Sequence, residues 1–140
     1  MKIAAYARCA TYSQWEVAIE DQFRRCELIA RQNGIDVSHM MKYYDNGLSG
    51  SSKYTLKRQG YQSLLTAWEH GDLGVLIVTD ISRLSRDFRE RAELANRIER
   101  TGIWFLTADG VDSRLPNWQR YRLSTVVQLL GSASGSGRHT

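Results

Sequence analysis

Short apolar runs alternate along the chain with longer stretches in which apolar residues recur every three or four positions. The apolar runs predict four strands, and Val75–Val78 is the clearest because β-branched residues dominate it. The predicted strands are Ile3–Ala7, Val37–Tyr44, Val75–Val78 and Ile103–Leu106. The stretches between them predict helices at Trp15–Asn33, Arg58–His70 and Asp87–Thr101. Alternating strands and helices predict an α/β fold with a mostly parallel central sheet.

Two segments fall outside this alternation. Asp45–Lys57 is polar and rich in glycine and serine, which predicts a long loop. After the break at Leu115–Asn117, apolar spacing predicts a helix over Trp118–Leu130, with Asn117 as its N-cap. Its apolar side is expected to meet another chain or another domain, or else to dock on this domain.

Composition restricts the class of protein. With 140 residues, 42% apolar and 24% charged, the chain suits one compact domain. No apolar run approaches the roughly 18 residues that span a bilayer, and the N-terminus reads as a strand, so we expect a cytoplasmic location and no membrane partner. The two cysteines and three histidines are scattered, which predicts no metal site. A net charge of +4 is compatible with a nucleic-acid partner without requiring one.

Arginines follow two of the predicted strands. Arg8 lies after the first, and Arg83 and Arg86 follow the third. Parallel strands bring their carboxyl ends to one edge, where three guanidinium groups could hold a phosphate. Arg83 and Arg86 would share a side if they lay on one helical turn. The alternative is that these arginines are solvated and form surface ion pairs. A hydroxyl at position 10 would point to the same side as Arg8, but the residue there is Ala10.

Five motifs occur in an order that resembles the serine recombinases, the family of resolvases, invertases and integrases. They are Tyr6–Thr11 with Gln14, Glu20–Gln22, Asp45–Gly50, Arg58–Gly60 and Ser82–Asp87. The similarity extends over about the first 130 residues. It implies a resolvase-like three-layer α/β catalytic domain that cleaves and rejoins DNA through a 5′-phosphoserine intermediate, with no cofactor. It also implies a DNA partner, a homodimer that assembles to a tetramer, and no small-molecule substrate.

The resemblance assigns roles by position. Ala10 occupies the place of the nucleophilic serine, and Arg8, Arg83 and Arg86 are the other catalytic residues. Supporting or phosphate-binding roles fall to Gln14, Gln22, Ser49, Arg58 and Ser82. Ser82 stands where the family often has Asp, and Asp80, on the same face if the strand continues, is a candidate substitute.

The resemblance also implies a division of the chain. Residues 1–115 form the catalytic domain, and 117–140 begin a long linker helix that fades into glycine and serine, with no DNA-binding domain after it. A methyl group cannot attack phosphorus, so the chain is expected to be inactive, as an introduced Ser→Ala change or as a naturally inactive relative. One alternative is a non-catalytic DNA-binding or assembly module that regulates a related recombinase. Another alternative is a small phosphoryl-transfer or nucleotide-binding protein. Against it, this sequence lacks the glycine-rich phosphate loops that such proteins use.

Overall fold

A computed structural model describes residues 2–9, 15–46 and 58–120 of the chain. The strands are β1 (Lys2–Cys9), β2 (Met41–Asn46), β3 (Leu73–Val78) and β4 (Trp104–Thr107). The helices are α1 (Trp15–Gln32), α2 (Gln59–Glu69) and α3 (Phe88–Thr101). Short 3₁₀ turns lie at Ile81–Arg83 and Trp118–Arg120.

The four strands form one parallel sheet in the order β2-β1-β3-β4. Beyond β4, residues 111–113 run antiparallel to it, with the Thr107 N–H donating to the Val111 carbonyl at 3.0 Å and the Ser113 N–H to the Phe105 carbonyl at 2.9 Å. The predicted α/β fold with a parallel central sheet is therefore confirmed. All four strands end at one edge, which we call the carboxyl edge.

Helices cover both faces of the sheet. Alternate residues of β1 point to opposite faces, so Ala5 and Ala7 pack with α1 residues such as Phe23, whereas Ala4 and Tyr6 pack with residues of α2 and α3. The arrangement is the three-layer one that the resemblance implies. Because Arg8 follows Tyr6 by two positions, the same alternation directs both toward the α2 face.

The second strand begins later than predicted. It starts at Met41 rather than Val37, because the preceding residues make local bonds instead of ladder bonds. The Asp36 carboxylate accepts from the Ser38 N–H at 2.9 Å, and the Met40 N–H donates to the Val37 carbonyl at 3.1 Å. Turns of this kind satisfy the backbone without a neighbouring strand.

The end of the described chain also differs from the prediction. Asn117 has a φ of 59°, a left-handed conformation rather than the extended one that N-cap residues adopt. Only the short turn Trp118–Arg120 follows within the described residues, and the rest of the predicted helix lies outside them. Trp118 is buried, and its Nε1–H donates to the Glu99 carboxylate at 2.7 Å. In residues 2–9, 15–46 and 58–120, no helix is long and apolar enough to span a membrane.

Candidate functional site

Several elements meet at the carboxyl edge of the sheet. The strand register pairs Arg8 of β1 with Asp45 of β2. Arg58 stands immediately before α2, and Arg83 ends the 3₁₀ turn after β3. Residues that are far apart in sequence therefore share one small region, as the ends of parallel strands lead one to expect.

The guanidinium of Arg8 is buried and bonded to main-chain carbonyls. Arg8 is 1% exposed, its Nε donates to the carbonyl of Arg83 at 3.1 Å, and its Nη2 donates to that of Ser82 at 2.7 Å. Burial, and next the charge of Arg58, lowers the Arg8 pKa to about 10. The group is still protonated at neutral pH, so it brings a positive charge into a partly desolvated place.

Gln22 of α1 holds the main chain of Arg8. Its side-chain Nε2 donates to the Arg8 carbonyl at 3.0 Å, and its Oε1 accepts from the Arg8 N–H at 3.1 Å. The pairing of β1 with β3 ends at Ala5, so the Gln22 amide takes the place that a further strand residue would have. Arg83 adds a bond from Nη1 to the same carbonyl at 3.0 Å.

Arg58 is the second buried guanidinium. It is 0% exposed, and its Nη2 donates to the Tyr6 hydroxyl and to the Arg83 carbonyl, both at 3.0 Å. Its Cζ lies 4.1 Å from the centre of the Tyr61 ring, a cation–π contact. Its Nη1 is buried and has no hydrogen-bond partner in the part of the chain that the structure describes.

Tyr6 and Asp45 link Arg58 to the start of α2. The Tyr6 hydroxyl donates to Asp45 Oδ2 at 2.5 Å, and the Asp45 carboxylate also accepts from the N–H groups of Gly60 at 2.8 Å and Tyr61 at 2.9 Å. Burial, opposed by the charge of Arg58, raises the Tyr6 pKa far above its usual value, so the phenol stays neutral. Asp45 thereby satisfies two helix N–H groups that have no partner within the helix.

Gly60 allows α2 to approach β2 this closely. A Cβ atom at position 60 would lie 2.1 Å from the carbonyl oxygen of Tyr44, which belongs to the backbone and cannot swing away. Only glycine fits at this contact. The close approach brings Arg58, two residues before Gly60, over the end of the sheet.

The turn after β3 carries the remaining candidates. Asp80 lies beyond the end of β3, so the strand does not continue to it, and its side chain accepts from the Ser82 N–H. Asp80 Oδ2 lies 3.6 Å from Arg83 Nε in an ion pair. The 3₁₀ turn ends at Arg83, so Arg83 and Arg86 do not share one helical turn, and Arg86 is exposed. The Arg86 charge nevertheless contributes to lowering the Arg8 pKa.

The structure thus brings together Arg8, Gln22, Arg58, Ser82 and Arg83, with Arg86 on the adjoining surface. Ala10, Gln14 and Ser49 lie outside the described residues. Sequence analysis assigned no role to Tyr6, Asp45 or Gly60, although all three stand in the motifs. For Tyr6 the available signal was its position two residues before Arg8, on the same face of a strand.

The arrangement suits an anionic ligand. Among the described residues, Arg8 and Arg58 donate to carbonyl and hydroxyl oxygens, Asp45 accepts from the Tyr6 hydroxyl that Arg58 contacts, and Asp80 lies beside Arg83. Guanidinium groups in such surroundings form strong charge-assisted bonds to phosphate or carboxylate. Among the described residues, no group of three or more histidine, cysteine or acidic side chains could hold a metal ion.

Comparisons with known proteins identify the family and the fold. The family model "Resolvase, N terminal domain" matches residues 3–134. The chain is similar to the N-terminal catalytic domain of TP901-1 integrase, with a TM-score of 0.75 and 23% identity over 96% of this chain and 99% of that one. No curated protein matches the chain.

Two further solved structures share the fold. A resolvase family site-specific recombinase from Streptococcus pneumoniae has a TM-score of 0.69 and 20% identity, covering 96% of this chain and 90% of its own. The C-terminal catalytic domain of ISC1926 TnpA, an IS607-like serine recombinase, has a TM-score of 0.63 and 18% identity, covering 99% and 89%. Since the family model spans nearly the whole sequence, the chain belongs to the resolvase family of serine recombinases and has the fold of its catalytic domain.

Proposed function

We propose that this chain is the catalytic domain of a site-specific DNA recombinase and that, with Ala10 at the nucleophile position, it holds a DNA phosphate without cleaving it. The observation that supports this most is the pair of buried guanidiniums, Arg8 and Arg58, at 1% and 0% exposure on the carboxyl edge. Buried cations that donate to neutral groups are poised to bind an anion.

The proposed reaction preserves the energy of the phosphodiester bond. In a chain with serine at position 10, the hydroxyl oxygen would attack phosphorus, the bond from phosphorus to the 3′ oxygen would break, and that oxygen would leave as a 3′-hydroxyl. The DNA is then held as a 5′-phosphoserine ester, and attack by a 3′-hydroxyl reverses the step. No cofactor or metal is needed to balance the reaction.

The proposed roles follow the geometry and the resemblance. Arg8, Arg83 and Arg86 stabilise the charge that grows on the phosphate oxygens, and Arg58 binds the phosphate from the α2 side. Gln22 is a positioning residue, because it holds the Arg8 main chain by two hydrogen bonds. Ser82 positions Arg8 through its carbonyl. Gln14 and Ser49 are proposed, on the resemblance alone, to support the site.

The wider organisation is part of the proposal. Residues 1–115 form the catalytic domain and 117–140 begin a helix that links subunits, so that dimers and then tetramers assemble on DNA. The site of action is the compartment that holds the DNA, which is the cytoplasm in a prokaryote. Sequence specificity requires a further DNA-binding domain, because phosphate contacts position a protein without reading bases.

Restoring the hydroxyl tests the proposal. The Ala10→Ser variant is fused after residue 140 to three zinc fingers of known target, and duplexes are supplied in which two copies of that target flank a randomised segment. We expect protein–DNA adducts that survive detergent and form in buffer to which no magnesium has been added. The unchanged Ala10 fusion is the matched control and should give none. If Ala10→Ser gives no adduct on any duplex, the recombinase proposal fails.

A second candidate function is favoured by Ala10 itself. A module that binds DNA phosphates or recombinase subunits without cleaving would need the arginines but no hydroxyl. In that case Ala10→Ser forms no adduct, whereas Arg86→Ala still weakens binding of the fusion to its duplex. In the recombinase proposal, adding Arg86→Ala to Ala10→Ser abolishes the adduct and leaves the fold intact.

A further inference from the structure

The 3₁₀ turn Ile81–Arg83 presents its carbonyl groups to the two buried arginines. The Ser82 carbonyl accepts from Arg8 Nη2 at 2.7 Å. The Arg83 carbonyl accepts from Arg8 Nε at 3.1 Å and from Arg58 Nη2 at 3.0 Å. Carbonyl groups at the end of a short turn have no partner within the turn, so they are free to accept these bonds. The direction of both guanidiniums therefore depends on the backbone shape of this turn.

Asp80 sets that shape. It has the extended conformation of an N-cap residue, with φ −157° and ψ 162°, and its Oδ1 accepts from the Ser82 N–H at 3.0 Å and from the Ser82 hydroxyl. Its own carbonyl accepts from the Arg83 N–H at 3.1 Å. The Asp80 side chain thus closes the turn whose far end carries the two accepting carbonyls.

The same carboxylate also faces Arg83. Asp80 Oδ2 is 3.6 Å from Arg83 Nε, an atom that is buried and has no hydrogen-bond partner among the residues the structure describes. Arg83 in turn donates from Nη1 to the Arg8 carbonyl at 3.0 Å. Asp80 therefore acts on Arg8 by two routes, through the turn carbonyls and through the Arg83 side chain.

We propose that Asp80 is a positioning residue that aims Arg8 and Arg58 at the phosphate, in the reaction proposed above. The family often has its carboxylate at position 82, and here Ser82 donates its hydroxyl to Asp80 instead. The carboxylate has moved two residues toward β3 and acts on the site through the turn.

The position of the Arg8 side chain is measured without DNA, in the protein with Ala10 unchanged. Arginine Nε–Hε cross-peaks are recorded in nitrogen–proton correlation spectra of isotope-labelled protein, which reports the Arg8 Nε–H bond directly. We expect Asp80→Ala to shift the Arg8 cross-peak or broaden it beyond detection. Asp80→Asn keeps the Oδ1 acceptor and loses only the charge beside Arg83, so it should shift that cross-peak less than Asp80→Ala does. Asp72→Ala, which removes an exposed carboxylate at the opposite end of the sheet, is the control and should not move it.

An Arg8 cross-peak that stays in place in folded Asp80→Ala would overturn the proposal, and so would an equal shift in Asp72→Ala. If Asp80→Ala does not fold, Asp80→Gly replaces it, because glycine is tolerated at N-cap positions and also lacks the carboxylate. An unmoved Arg8 cross-peak in Asp80→Gly, or an equal shift in Asp72→Ala, would then overturn the proposal.

A second arm connects positioning to chemistry. In the Ala10→Ser fusion, Asp80→Ala should slow adduct formation by about 100-fold, the cost of misplacing a reacting group by about 1 Å, and Asp80→Asn should restore most of the rate. Equal rates in Asp80→Ala and its parent would contradict the positioning role. If the Ala10→Ser parent forms no adduct, the proposed function fails, whereas the cross-peaks still decide whether Asp80 aims Arg8.

Discussion

The two ends of the parallel sheet hold their cations in opposite ways. At the amino edge, Lys2 and Asp72 form an ion pair of 3.8 Å, with side chains 58% and 52% exposed. At the carboxyl edge, Arg8 and Arg58 are almost fully buried and donate to carbonyl and phenol oxygens. Water solvates Lys2 and Asp72 whether or not they pair. Burying Arg8 and Arg58 costs solvation energy, and hydrogen bonds to neutral acceptors recover only part of it.

This difference separates two interpretations of the arginines. Arg86 is exposed and Arg83 pairs with Asp80, so the alternative of solvated surface ion pairs keeps some support for these two residues. It is wrong for Arg8, which is 1% exposed. Charged groups that a fold buries at a cost to its stability are enriched at functional sites, although structural networks also contain them.

The largest effect on stability is expected at the glycine that brings α2 onto β2. Gly60→Ala should lower the free energy of unfolding by about 3 kcal/mol or more, because the new methyl group meets the Tyr44 backbone at 2.1 Å. Gly71, beside Asp72 at the amino edge, has a φ of 77° and open space around it. Gly71→Ala should cost only about 1 kcal/mol, for its left-handed conformation. Urea unfolding of both variants measures the difference. Equal losses would show that close approach at Gly60 is not what distinguishes the carboxyl edge.

The second largest effect on stability is expected at the buried carboxylate of Asp45. Asp45→Asn should destabilise the fold by about 2 kcal/mol, because an amide cannot accept from the Tyr6 hydroxyl and from two α2 N–H groups as a carboxylate does. Asp72→Asn, at the amino edge, should change stability by less than about 0.5 kcal/mol. Thermal unfolding of both variants tests this. A loss for Asp72→Asn as large as that for Asp45→Asn would remove the contrast between the edges.

The sequence predicts which segments meet at the carboxyl edge better than it predicts which side chains bond to each other there. Apolar runs and helical spacing are local signals, so β3 and the three helices are found near their predicted places, and the carboxyl ends of β1 and β3 bring Arg8 and Arg83 together as expected. The predicted start of β2 was wrong because the hydrogen bonds between Asp36 and Ser38 compete locally with the hydrogen bonds between strands. Such competition is decided by a few hydrogen bonds that periodicity does not report.

The hydrogen bonds of Arg58 could not be predicted from the sequence, for a different reason. Its acceptor Tyr6 is 52 residues away in sequence, and Tyr6 itself bonds to Asp45, 39 residues away. No spacing rule connects these positions; only the register of β1 with β2 and the contact at Gly60 do so. The motifs identified which segments matter, but which atoms meet depended on tertiary packing.

Among the carboxyl-edge variants, the smallest change in stability is expected where function should suffer most. Arg58→Met keeps an unbranched side chain between the Tyr6 and Tyr61 rings and removes a buried charge, so the free energy of unfolding should change by about 1 kcal/mol or less. If Arg58 binds a phosphate, the slope of log affinity against log salt for the zinc-finger fusion on its duplex should become shallower by about 1. Lys2→Met removes a cation from the amino edge and should leave both quantities unchanged. Fluorescence anisotropy over a range of salt, with thermal unfolding of the same samples, measures the two together. A slope that changes equally for Arg58→Met and Lys2→Met would mean that the carboxyl edge attracts DNA only through net charge, and that burial of its arginines does not serve phosphate binding.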